Sequence, residues 1–160
     1  MKKITFRPIG IIQTPFKDKK GMPIQPSGAK GVRGTINIRA EYTDGLKDLE
    51  GFSHIILIYH FHLSKDYSLT VTPFLDDQPR GVFATRAPKR PSSIGLSIVK
   101  LNAVKGNVLD IENVDIIAGT PLLDIKPYVP EFDAQVEVET GWLAKAAKRI
   151  KQTKSDKRFT

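Results

Sequence analysis

The chain has no cysteine. That excludes structural disulfides, thiolate zinc sites, iron–sulfur clusters and cysteine nucleophiles, and it fits a reducing compartment, so a cytoplasmic protein is expected. Long apolar runs are missing too. The longest clean one, Ile55 to Tyr59, is far short of the ~20 residues a membrane-spanning helix needs, and no membrane association is expected. Behind the basic start Lys2-Lys3 no apolar stretch follows, so the amino end does not read as a signal peptide. Histidine is scarce, with only His54, His60 and His62. In a regular strand all three would face one side, but His54 and His60 would lie ~20 Å apart at ~3.3 Å per residue, too far to share an ion. No metal is expected.

What is present suits one folded domain. The chain has 160 residues, 40% of them hydrophobic and 26% charged, which argues against disorder and matches the ~100–200 residues of a single domain. The net charge of +8 is unevenly spread: from Lys145 onward there are seven basic residues and one acid, Asp156. Residues 1–144 are therefore near neutral and residues 145–160 form a basic tail of the same domain. Such a tail suits a polyanionic partner, with attraction that weakens as salt rises.

The apolar pattern predicts short strands at Phe6–Gln13, Val32–Ile38, Ser53–Leu63, Ser68–Pro73, Gly81–Thr85, Leu96–Val104, Asn107–Glu112 and Leu122–Tyr128. Many short strands with Gly and Pro between them predict an all-β fold, a barrel or sandwich, and not alternating βα units. One helical turn is expected within Ala40–Glu50, and a basic carboxy-terminal helix from Trp142. The usual phosphate-binding signatures are absent: Gly28, Gly31 and Gly34 recur every third residue and precede a strand, which is not a dinucleotide fingerprint.

Two stretches stand out. Gly81 to Ser97 carries Arg86, Lys89 and Arg90 with no acid among them, stiffened by Pro88 and Pro91. A preorganised basic loop costs little ordering entropy when an anion arrives, as carboxylate or phosphate recognition requires. Ala118-Gly119-Thr120-Pro121 is a tight turn leading into the apolar segment that continues through Asp124, Lys126 and Tyr128.

Together Gly81-Val82-Phe83-Ala84-Thr85-Arg86, Ile94-Gly95-Leu96-Ser97 and Gly119-Thr120-Pro121-Leu122-Leu123-Asp124-Ile125-Lys126-Pro127-Tyr128 resemble the TsaA-like (YaeB-like, TrmO-like) family. The resemblance extends to Pro23-Ile24-Gln25 and to Gly51-Phe52-Ser53-His54 with Phe61-His62. That family includes the tRNA N6-threonylcarbamoyladenosine methyltransferases. The resemblance implies a β-barrel, unlike the doubly wound methyltransferases, working as a homodimer with S-adenosyl-L-methionine near the subunit boundary. Carried over by position, the cofactor site falls on Pro23, Ile24, Gln25, His62, Leu63, Arg86, Leu96, Ala118, Gly119, Thr120 and Pro121. Backbone groups at Leu96 and around Gly119 would read the adenine edge, and Arg86 would pair with the cofactor carboxylate.

The implied activity is methylation of the exocyclic nitrogen of threonylcarbamoyl-adenosine beside the tRNA anticodon. His62, Asp124 and Tyr128 are the candidates to take the nitrogen's proton. Lys89 and Arg90, with Lys126, are the candidate cations for the substrate, and Arg90 serves equally well as a clamp on its loop. This chain departs from the family pattern twice. Ser92-Ser93 stands where the family has Asn-Pro, and Ala118 where it has Asp. Two other readings are a non-enzymatic RNA-binding barrel, stacking bases on Tyr59 and Phe61, and methylation of another small acceptor.

Overall fold

The computed structural model describes residues 2–18, 22–146 and 153–156. Its strands follow side-chain alternation. In β6 (Ile94–Lys105) Gly95, Ser97, Val99 and Leu101 are buried while Ile94, Leu96, Ile98 and Lys100 are exposed, the period of a strand with one covered face. The same logic builds β1 (Gly10–Gln13), β2 (Arg33–Ile38), β3 (His54–His60), β7 (Val108–Glu112) and β8 (Thr120–Pro127). These six close into an antiparallel barrel in the order β1-β2-β7-β6-β3-β8, with β8 pairing back to β1. Closure leaves no open sheet edge. Ile12, Ile36, Ile55, Leu57, Leu109, Ile111 and Leu122 fill the interior, each contributing roughly 1.5–3 kcal/mol by leaving water.

Two short strands, β4 (Thr70–Val71) and β5 (Arg80–Gly81), form a separate two-stranded sheet over a small cluster of Val71, Val82, Ala87 and Phe74. Here the strand expected at Gly81–Thr85 fails after Gly81, and Val82–Ala84 forms a 3-10 turn. The reason is local. The carbonyls of Val82, Thr85 and Ala87 converge on the Arg90 guanidinium instead of entering a ladder.

The first expected strand also begins late, at Gly10. The turn expected within Ala40–Glu50 is two 3-10 turns, Ala40–Leu46 and Leu49–Gly51. At Trp142 a 3-10 turn, Gly141–Lys145, stands in place of a regular helix start, and the next turns of the expected helix lie outside the described residues.

One irregularity matters for the site. The β3–β8 register shifts between Ile58 and Tyr59, so that Ile58 faces Asp124 while Tyr59 faces Leu122. The extra residue, Leu123, reverses the alternation of β8. Leu122 and Ile125 thus both join the core, and Asp124 turns outward.

Candidate functional site

A cleft of about 1010 Å³ opens at one end of the barrel, beside the start of β6. Its size suits a nucleoside-sized ligand. Ile94, Leu96 and Ile98 form an apolar wall, and loops carrying Pro23 to Gln25, His62 and Leu63, Phe74, and Thr85 to Pro88 with Arg90 form the others. Trp142 closes one side: its indole N–H donates to the Ala84 carbonyl at 2.8 Å, and the Arg80 guanidinium lies 5.8 Å from its ring centre. Arg80 is itself fixed by Asp76 at 2.7 Å, whose carboxyl that hydrogen bond holds below its usual range.

The tail takes part in the wall. Met22 and Ser155 exchange hydrogen bonds, Ser155 N–H to the Met22 carbonyl at 2.8 Å and Met22 N–H to Ser155 Oγ at 2.9 Å. Lys154 forms a β-bridge with Pro23, and Ser155 and Asp156 line the cleft. The tail is thus more than a separate basic appendage.

At the cleft's base a polar chain crosses the barrel end. Ser97 Oγ donates to Asp115 Oδ1 at 2.7 Å and lies 3.1 Å from the Tyr59 hydroxyl. Because the serine proton goes to the carboxylate, Tyr59 donates to Ser97. Burial, then the nearby Asp115 charge, pushes the Tyr59 hydroxyl far up, so it stays protonated. Burial also pushes the Asp115 carboxyl up to about 6, against the opposing effects of Ser97, its own backbone amide and Arg86.

Sequence reasoning missed Asp115. The available signal was an acid set between Val114 and Ile116-Ile117, in a run otherwise apolar. With Val114 and Ile116 buried in the core, the residue between them is directed to the cleft.

Arg86 lines the cleft, donating to Gln25 Oε1 at 3.2 Å. Arg90 lines it too, but its Nη1 donates to the Thr85 carbonyl at 2.9 Å and to those of Ala87 and Val82 at 3.3 and 3.4 Å. Of the two roles open to Arg90, the loop clamp is the one this geometry shows. Thr120 Oγ1 donates to the Ile117 carbonyl at 2.7 Å and lies 3.3 Å from His62 Nδ1. With the threonine proton so committed, His62 takes the Nδ1–H form, which puts its basic lone pair on Nε2.

The other sequence candidates separate from the cleft. Ala118, Gly119 and Pro121 flank Thr120 but do not line it. The Ala118 and Gly119 amides donate to the Phe16 and Ile12 carbonyls at 2.8 and 2.9 Å, so the barrel already uses the donors expected to read adenine. Asp124 and Lys126 pair with each other at 2.9 Å on the outer face, a consequence of the β8 bulge. Tyr128 sits edge-on to His54 toward the other end of β3, and Lys89 lies outside the lining. Tyr59, which the RNA-binding reading would use as a stacking surface, is buried, its ring edge-on to Phe61 at 5.4 Å. Among the described residues no cluster of metal-ligating side chains is found.

Comparison with known proteins agrees with this architecture. Residues 11–134 match the tRNA-methyltransferase O N-terminal domain. The chain is 55% identical over 156 residues to a protein of Pyrococcus abyssi named "Probable S-adenosyl-L-methionine-binding protein", covering 98% of this chain and 85% of that one. It is 38% identical over 138 residues to a human tRNA (adenine(37)-N6)-methyltransferase, covering 82% of this chain but only 31% of the human protein. A crystal structure of TrmO superimposes with a TM-score of 0.77 at 38% identity, over 88% of this chain and 64% of that one.

Proposed function

Because the chain belongs to the tRNA-methyltransferase O N-terminal domain family, we propose that it is an S-adenosyl-L-methionine-dependent methyltransferase of tRNA. Its substrate is the exocyclic nitrogen of threonylcarbamoyl-adenosine beside the anticodon. One observation carries the reading: Pro23, Ile24, Gln25, His62, Leu63, Arg86, Leu96 and Thr120, scattered along the sequence, line a single cleft.

The residues fit the cofactor. Leu63 and Leu96 offer apolar cover for the adenine faces, Gln25 a donor and an acceptor for ribose, and Arg86 a bidentate partner for the carboxylate. When bound, the cofactor supplies a methyl group already activated by its sulfonium. The chain's task is then alignment, which can account for ~7–11 kcal/mol of barrier. Of the three proposed proton acceptors only His62 lines the cleft. It would accept the nitrogen's proton while the nitrogen's electron pair bonds the methyl carbon and the carbon–sulfur bond breaks, its pair returning to the sulfur.

Ile94, Leu96 and Ile98 are 36%, 47% and 37% exposed on the outer face of β6. This apolar strip supports a homodimer in which a second copy covers the open side of the cleft. The basic tail supplies attraction for tRNA phosphates. The place of action is the cytoplasm, and no helix among the described residues is long and apolar enough to cross a membrane.

The test is methyl transfer to tRNA bearing threonylcarbamoyl-adenosine, read by nucleoside mass spectrometry, for the parent and His62→Gln. Transfer by the parent, lowered at least about tenfold by the substitution, is the expected result. Tight cofactor binding with no transfer by either protein would overturn the tRNA acceptor and point to a smaller one. No cofactor binding would overturn the enzyme class.

A further inference from the structure

The cleft holds a cation and an anion that are kept apart. The Arg86 guanidinium is close enough to Asp115 to favour its charged form, yet no ion pair joins them among the described residues. Each is positioned by neutral partners instead: Arg86 by Gln25, Asp115 by Ser97, with Tyr59 behind. A carboxylate has about four lone-pair directions. Ser97 and the residue's own amide take two of Asp115's, leaving acceptor capacity.

Opposite charges held apart in a largely apolar cleft match a ligand carrying both signs at a fixed separation. An α-amino acid end is such a ligand. The cleft's other acid, Asp156, belongs to the short tail segment beside Met22, whereas Asp115 is locked into the barrel by Val114 and Ile116. Resting on the cofactor reading above, we propose that Asp115 binds the α-ammonium of the cofactor's amino-acid end, across from Arg86 at its carboxylate.

Calorimetry with S-adenosylhomocysteine and with the same thioether lacking the amino group tests this. Asp115→Asn keeps an acceptor for Ser97 but removes the charge. It is expected to weaken the homocysteine ligand by about tenfold or more and the deamino analogue by less than about twofold. Glu41→Gln, paired with Arg39 and outside the cleft lining, should move neither. Equal losses for both ligands, no loss, or a selective loss only in Asp156→Asn, the other acid lining the cleft, would overturn the proposal. Failure of the parent to bind S-adenosylhomocysteine would instead overturn the cofactor reading itself.

The parent also provides a test that needs no variant. Asp115 accepts from Ser97, which Tyr59 in turn contacts, and neither hydroxyl titrates below pH 8; Arg86 lies nearby, and His62 and Asp156 line the same cleft. As pH falls from 7 to 5 Asp115 takes up a proton while the ligand's ammonium stays charged. Affinity for S-adenosylhomocysteine should drop by about tenfold and that for the deamino analogue should not. A parallel change in both ligands would overturn the assignment.

Discussion

The ring of Tyr59 occupies the space a side chain at Gly95 would need: a Cβ built there would stand 2.2 Å from Tyr59 Cε2 and 2.9 Å from Phe61 Cζ. The two residues are direct partners across β3 and β6. Glycine at 95 therefore lets the tyrosine lie flat against the strand and reach Ser97, two residues on.

Gly95→Ala should accordingly cost about 1–3 kcal/mol through overpacking, and it should weaken cofactor binding by disturbing the chain from Tyr59 to Asp115. Adding Tyr59→Leu removes the clash, so the double variant should lose less stability than the two single losses summed. Chemical denaturation of the four proteins measures this. Strict additivity would show that the contact is not the constraint.

Arg86 and Arg90 should fail in different ways. Arg86 is exposed and, among the described residues, its side chain hydrogen-bonds only Gln25, so Arg86→Ala should leave the melting temperature within about 2 °C while cofactor affinity falls at least about tenfold. Arg90 satisfies three loop carbonyls, and Arg90→Ala should destabilise by about 1–3 kcal/mol. Thermal melts paired with calorimetry separate them. A stable Arg90→Ala with lost affinity would reverse the assignment.

The tail should show two separable effects. Replacing Lys148, Arg149 and Lys151 by serine should flatten the salt dependence of tRNA binding, by roughly 0.7–0.9 in slope for each phosphate no longer neutralised, with cofactor affinity unchanged. Truncation before Lys154 removes the partner of Met22 and Pro23, and should weaken the cofactor as well. Unchanged cofactor binding after truncation would show that the tail segment is dispensable to the wall.

Asp115 should also write itself into the pH dependence of stability. Its carboxyl is raised from 3.8 to about 6 by burial, so between those values the folded chain holds more protons than the unfolded one. Stability should fall as pH rises through this window and level off above about 6, a loss on the order of 3 kcal/mol without ligand. Asp115→Asn lacks the effect. It should match the parent near pH 4 and exceed it at pH 7.5, by urea denaturation. Comparison with the variant cancels Asp76, whose lowered carboxyl acts in the opposite direction. A difference independent of pH would mean that the buried charge is not the cause.

The barrel was legible from the chain because alternation is a local property. Ser97-Ile98-Val99-Lys100-Leu101 can cover a core in only one way, and strands so short, separated by glycine and proline, favour antiparallel closure. The basic loop and the Gly-Thr-Pro turn were legible as well, since their residue types are unusual together. Which of their side chains meet was decided by the tertiary structure. A single inserted residue, Leu123, turns Asp124 away from the core, and no count along the sequence reveals which partner strand absorbs such a shift. Arg90 became a clamp because three carbonyls converge on it. Asp115 entered the site, unmarked by any motif, because the barrel end brings Ser97 from β6 and Tyr59 from β3 against the loop before β8. Local patterns dictate which face of each strand is covered; the meeting of residues distant in sequence depends on register and closure, which exist only once the barrel is formed.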